Sequence, residues 1–143
     1  MTKFLSACAL VALVATSAMA HHSYAMFDGT RVETVTGTLA KIEWKNPHVF
    51  LWVYVPNSQA ANGFDLYAFE NGSTNVLARR GWSKDVIPDG EKLAVEFWPL
   101  RDGRKGGHLK QLTRSGGAVL QGAGGPRGLD GTDPARETRE SAP

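Results

Sequence analysis

Residues 21–143 contain four histidines, and two of them, His21 and His22, lie directly behind a small-x-small cleavage site, Ala18-Met19-Ala20. Cleavage after Ala20 gives His21 a free α-amine. That amine and Nδ1 of the same residue can chelate one metal ion in a six-membered ring. An imidazole from elsewhere completes a T-shaped set of three nitrogens, the histidine brace. Such a set suits Cu(II), which prefers nitrogen donors in tetragonal geometry and tops the affinity order of divalent metals. The amine titrates at roughly 7.7–8.0 and histidine at about 6.5, so copper can displace both protons close to neutrality.

The third nitrogen has two candidates. His48 follows Asn46-Pro47 at the head of one apolar stretch, and His108 opens another. Met26 adds a thioether suited to Cu(I). His22 offers a second mode, through the amine, the amide between residues 21 and 22, and its own imidazole. Ser23 stands where the three-residue amino-terminal copper motif needs histidine. The candidate metal set is therefore His21, His22, His48, His108 and Met26, with copper as the cofactor. The plain alternative is that residues 21 and 22 are ordinary terminal residues, His48 caps a strand, and His108 is an exposed strand residue.

The elements around these residues follow from the rest of the chain. Lys3 and the twelve-residue apolar run Phe4–Ala15 read with the cleavage site as a signal peptide over residues 1–20. The run is shorter than the roughly 20 residues of a membrane span. Leu5-Ser6-Ala7-Cys8 has the letters of a lipoprotein box, but it stands too near the start to leave a charged and an apolar segment before it. Cys8, the one cysteine, leaves with the signal, so disulfide and thiolate chemistry are not expected. A net charge of +2 gives no strong pull toward nucleic acid. The expected product is periplasmic or secreted, not inserted in a membrane after cleavage, with a metal ion and another periplasmic protein as partners.

Residues 21–115 alternate in the manner of strands. Val32–Trp44 reads as a long strand with Gly37 as its kink, followed by His48–Val55, Phe64–Glu70, Lys92–Pro99 and Gly107–Arg114. Asn71-Gly72 turns the chain, Ser73 or Thr74 caps a short helix through Arg80, and Gly81 stops it. The order β-β-β-α-β-β predicts a mainly β fold, a small five-stranded OB-fold-like barrel, with an open five-stranded sandwich-like sheet as the alternative that order alone does not separate from it. Residues 116–143 are rich in glycine and proline and are read as a disordered tail.

An OB-type barrel also suggests a function without metal. Its loops between strands 1 and 2 and strands 4 and 5 carry Lys45, Asn46, Arg101, Arg104 and Lys105, a set able to hold an anionic ligand, peptide or protein partner. Trp44, Trp52 and Trp98 lie in strands and are read as core. Asp65, Glu70 and Glu43 are read as solvent-facing strand acids, and no catalytic signature emerges. Enzyme activity is not expected, with copper-dependent redox chemistry left open.

Four blocks carry a resemblance: His21–Asp28 (HHSYAMFD), Glu43–Val49 (EWKNPHV), Asn75–Trp82 (NVLARRGW) and Pro99–Arg104 (PLRDGR). Together they resemble a domain-of-unknown-function family of small secreted bacterial proteins whose mature chain begins His-His-Ser. The resemblance implies a periplasmic, barrel-like domain and supplies no activity. The reading that follows is a copper carrier or buffer.

Overall fold

The computed structural model describes residues 24–125. Alternation sets its strands. In β2 (Phe50–Pro56), Leu51 and Val53 are fully buried while Tyr54 between them and the next turn is exposed. In β4 (Lys92–Pro99), Leu93, Val95 and Phe97 point inward on the same two-residue period. With β1 (Glu33–Glu43), β3 (Phe64–Glu70) and β5 (Gly106–Arg114), they form one sheet in the order β3-β2-β1-β4-β5. The sheet closes on itself where Ala68–Glu70 of β3 pair in parallel with Gly106–His108 of β5. The result is the five-stranded barrel expected from the element order, filled by Leu39, Leu51, Val53, Phe69, Val95, Phe97, Leu109 and Leu112. A short helix, α1 (Thr74–Ala78), lies between β3 and β4 and puts Leu77 into this core beside Trp82 and Ile87.

Strand β1 is shared. Its first half pairs with β4 through Thr38 and its second half with β2 from Thr38 onward. The bulge sits between Leu39 and Lys41, at Ala40, and not at Gly37. Gly37 does a different job: a Cβ there would lie 2.5 Å from the Tyr54 carbonyl oxygen, so glycine lets β1 and β2 approach as the strand changes partner. The helix is shorter than expected. Ser73 makes no side-chain cap; Asn46 Oδ1, from the loop before β2, instead accepts from the Thr74 amide at 3.1 Å and its hydroxyl at 2.9 Å.

Trp98 and Trp82 are buried, and Trp44 packs partly against the core. Trp52 departs from the expectation. Its parity in β2 opposes Leu51 and Val53, so it lies on the outer face, where Nε1 donates to Glu43 at 2.9 Å and the Lys41 ammonium stands 5.4 Å from the ring.

The compact unit also runs past Ser115. Arg114 and Ala118 close a hairpin, and Val119–Gln121 form a sixth strand, β6, antiparallel to Gln111–Thr113 of β5. Leu120 packs against the core. The glycines on either side of this strand hide a strand with only two apolar residues, Val119 and Leu120, and for that reason composition places it in a tail. Residues 126–143 of that expected tail lie outside the described residues, as does the expected signal peptide.

Candidate metal centre

His48 stands just before β2. The β2–β3 ladder continues past the strands here, with the Asn71 amide donating to the Val49 carbonyl at 2.8 Å and the Val49 amide to the Gly72 carbonyl at 3.0 Å. This brings the His48 ring over the end of β3. Its Nδ1 lies 2.7 Å from Glu70 Oε1 and 3.3 Å from the Asn71 carbonyl oxygen. A carbonyl and an ionised carboxylate only accept, so this geometry selects the tautomer with the proton on Nδ1, which in the neutral ring leaves the lone pair on Nε2. Glu70 is not the solvent-facing acid that alternation suggests. Its side chain is 16% exposed, and burial pushes its carboxyl above the ordinary range while His48 pulls it back.

His108 sits one strand away, as the register partner of Glu70. Residues Gly106–Leu109 are all buried, because β5 here lies between β3 and β4 and is covered on its outer side as well. Part of the cover is the segment before β1. Phe27 bridges to Leu100, and the Asp28 amide donates to the Pro99 carbonyl at 2.7 Å. That anchors the Tyr24 ring edge-on to the His108 ring at 5.1 Å, with Phe27 at 5.4 Å and Trp98 at 6.0 Å. The expectation that His108 could be an exposed strand residue fails on these long-range contacts; it is 1% exposed.

The polar side of this ring is equally constrained. Nε2 donates to the Gly124 carbonyl at 2.7 Å, which leaves Nδ1 with a lone pair. That Nδ1 is buried and has no hydrogen-bond partner among the described residues. Asn71 Nδ2 is in the same condition. Its amide is fixed in orientation because Oδ1 accepts from both the Gly72 and Ala123 amides. An unmade buried hydrogen bond costs roughly 1–3 kcal/mol, so two at one end of a small barrel ask for a reason. For His108 the arrangement is that of a metal-binding imidazole, one nitrogen held by an acceptor and the other bare. His48 repeats it with the nitrogens exchanged.

The surroundings of His108 also set its titration. Burial, reinforced by the neighbouring His48, lowers the His108 pKa to about 4, against a smaller opposing effect of the Gly124 bond. An unfolded chain would protonate this residue near pH 6.5, the folded one only near 4. The benefit to the folded state is therefore complete above about 6.5 and is lost as the pH falls toward 4. For the metal-free protein this is on the order of 3 kcal/mol. Urea unfolding from pH 7 down to 4 should show that loss, and H108Q should remove it from the difference between the two curves.

Among the described residues, no group of three or more histidine, cysteine or acidic side chains converges in a way that could hold a metal by itself. His21 and His22 lie outside the described residues. Met26 is 42% exposed, and the ring contacts to His108 come from its neighbours Tyr24 and Phe27.

None of the basic loop residues lines the histidine site, and of the five only Arg104 and Lys105 share a surface feature. Lys45 lies 3.8 Å from Glu43, and Asn46 is spent on capping α1. Arg101 is exposed at the turn after β4. Arg104 pairs with Asp102 at 2.7 Å and Lys105 with Asp65 at 3.0 Å. These last two line a cleft of about 160 Å³ with Arg31, Tyr67 and Phe97.

No curated protein matches the chain, and no solved structure does. A family model does match, over residues 9–110, and so takes in β1 to β4, His48, Glu70, Asn71 and His108. On that match the chain belongs to DUF6152, a family of unknown function.

Proposed function

We propose that this protein is a periplasmic or secreted copper carrier or buffer, and that its site is completed by signal cleavage. The observation that carries the reading is the buried His108 ring, with Nε2–H bonded to Gly124 and Nδ1 bare. The supporting observation is what lies beside it. Tyr24 packs on that ring, and a chain beginning at His21 has three residues, a reach of about 10 Å at most, between its amine and Tyr24.

In this reading the His21 amine and imidazole supply two nitrogens and His108 Nδ1 the third. His48 Nε2 stands at the exposed side, held by Glu70, as a further nitrogen. His22 and Met26 are the further donors this reading assigns if the bound ion is Cu(I). The aromatic wall of Tyr24, Phe27 and Trp98 keeps water from the buried nitrogen. A carrier or buffer needs only the bound ion, and the cleft lined by Arg104 and Lys105 takes in none of the histidines.

Calorimetric titration of the chain beginning at His21 tests the reading. One Cu(II) should bind per chain, and a single extra glycine before His21 should weaken binding by roughly 100-fold. Equal and weak binding in both proteins would dispose of the proposal.

A second reading rests on the cleft that brings Arg104 and Lys105 together as a seat for an anionic ligand. It requires salt-sensitive binding of an anionic oligosaccharide that R104E abolishes.

A further inference from the structure

Residues 121–125, the end of β6 and the four residues after it, are hydrogen-bonded to the barrel from Gln121 to Gly124. Trp82 Nε1 donates to the Gln121 carbonyl at 2.8 Å, and Arg80 Nη1 to the Gly122 carbonyl at 2.5 Å. The Gly122 amide donates to the Lys110 carbonyl at 2.8 Å. The Ala123 amide donates to Asn71 Oδ1 at 2.8 Å, and the Gly124 carbonyl accepts from His108 Nε2 at 2.7 Å. The composition of the segment fits this docking. A Cβ on Gly122 would fall 2.3 Å from the Leu109 carbonyl oxygen, and one on Gly125 would fall 2.3 Å from the Trp98 ring. Across the contact, a Cβ on Gly72 would collide with Ala123. Glycine here permits close approach, where composition alone suggests disorder.

Barrel closure does not need this strap, since the β3–β5 pairing completes it. Two of the strap's hydrogen bonds, those of Ala123 and Gly124, go to Asn71 and His108, the two residues that carry the unpartnered buried nitrogens. We propose that residues 121–125 are a clamp that presents His108 to copper, and that Arg80 is a positioning residue for the metal, acting through the clamp. The proposal rests on the copper reading above. Its mechanism is simple. A neutral imidazole can carry its proton on either nitrogen, and only an acceptor fixed at Nε2 keeps Nδ1 free. Arg80 fixes Gly122, two residues from that acceptor. Copper on Nδ1 withdraws electron density from the ring and strengthens the Nε2–H bond to Gly124. Metal loading and clamp docking therefore reinforce each other by the same factor.

The test compares the parent chain beginning at His21 with R80A and, as a control, R79A. Arg79 and Arg80 are both exposed, so neither change empties the core. R80A should bind Cu(II) roughly 10–100-fold more weakly, with an altered paramagnetic resonance spectrum for the copper that remains, while R79A should match the parent. In the parent, copper should slow hydrogen exchange at the Ala123 amide. An R80A protein that melts lower but binds copper with the parent's affinity and spectrum would show that Arg80 only stabilises the fold, and would overturn the clamp while leaving the copper reading intact. A parent chain that binds no copper would overturn both.

Discussion

H108Q is expected to lose at least about 100-fold in Cu(II) affinity while remaining folded. Glutamine keeps an N–H able to serve the Gly124 carbonyl, and it presents no nitrogen lone pair where Nδ1 stood. H48Q should lose less. His48 is 37% exposed in its side chain, so a water can replace it, whereas nothing replaces a donor inside the aromatic wall around His108. Calorimetry on the three chains, each beginning at His21, separates these expectations. The order would be reversed if His48 were the principal imidazole, and all three would bind alike if the histidines were ordinary polar residues. Circular dichroism on the same samples verifies that the fold is intact.

The second large effect concerns the seam that closes the barrel. A Cβ on Gly106 would stand 2.0 Å from the Ala68 carbonyl oxygen, and the residue adopts φ +127°, where side chains are strained. Gly107 is equally tight against the Trp98 carbonyl, also at 2.0 Å. Both contacts lie where β5 passes between β3 and β4, so relief on one side compresses the other. G106A is expected to destabilise the protein by about 3 kcal/mol or more, a large share of what holds a domain of this size. G116A is the control, because nothing lies within 4 Å of its Cβ position. It should stay within about 0.5 kcal/mol of the parent. Thermal and urea unfolding read both, and a G106A barrel as stable as the control would mean that β3 and β5 do not meet there.

These two sites differ in how far the chain announces them. The barrel was legible because its strands obey a two-residue period and its turns carry glycine, proline and asparagine where the chain reverses. The bulge at Ala40 was not, since Gly37 is the more conspicuous residue of β1 and serves close packing instead. Glu70 reads as a surface acid by alternation with Phe69, and only the ladder's extension through Val49 and Asn71 reveals that it faces His48. The burial of His108 was beyond local pattern altogether. Its cover comes from residues 24–27, some eighty positions away, and from 122–125 beyond the β5–β6 turn, both poor in apolar alternation. The strap was hidden by its own glycines, whose role appears only when the Leu109 carbonyl and the Trp98 ring are seen against them. The histidines were visible as residue types, but the pairing of one bare nitrogen with one anchored nitrogen in each ring depends on partners that no spacing rule supplies.

In the proposed function, one copper ion joins the processed amino terminus to the buried His108 nitrogen. Electron paramagnetic resonance of the Cu(II)-loaded chain beginning at His21 addresses it most directly, by counting the nitrogens coupled to the metal in the parent and in H108Q. The account predicts at least three coupled nitrogens in the parent and one fewer in H108Q. A parent spectrum that is unchanged by H108Q would contradict it.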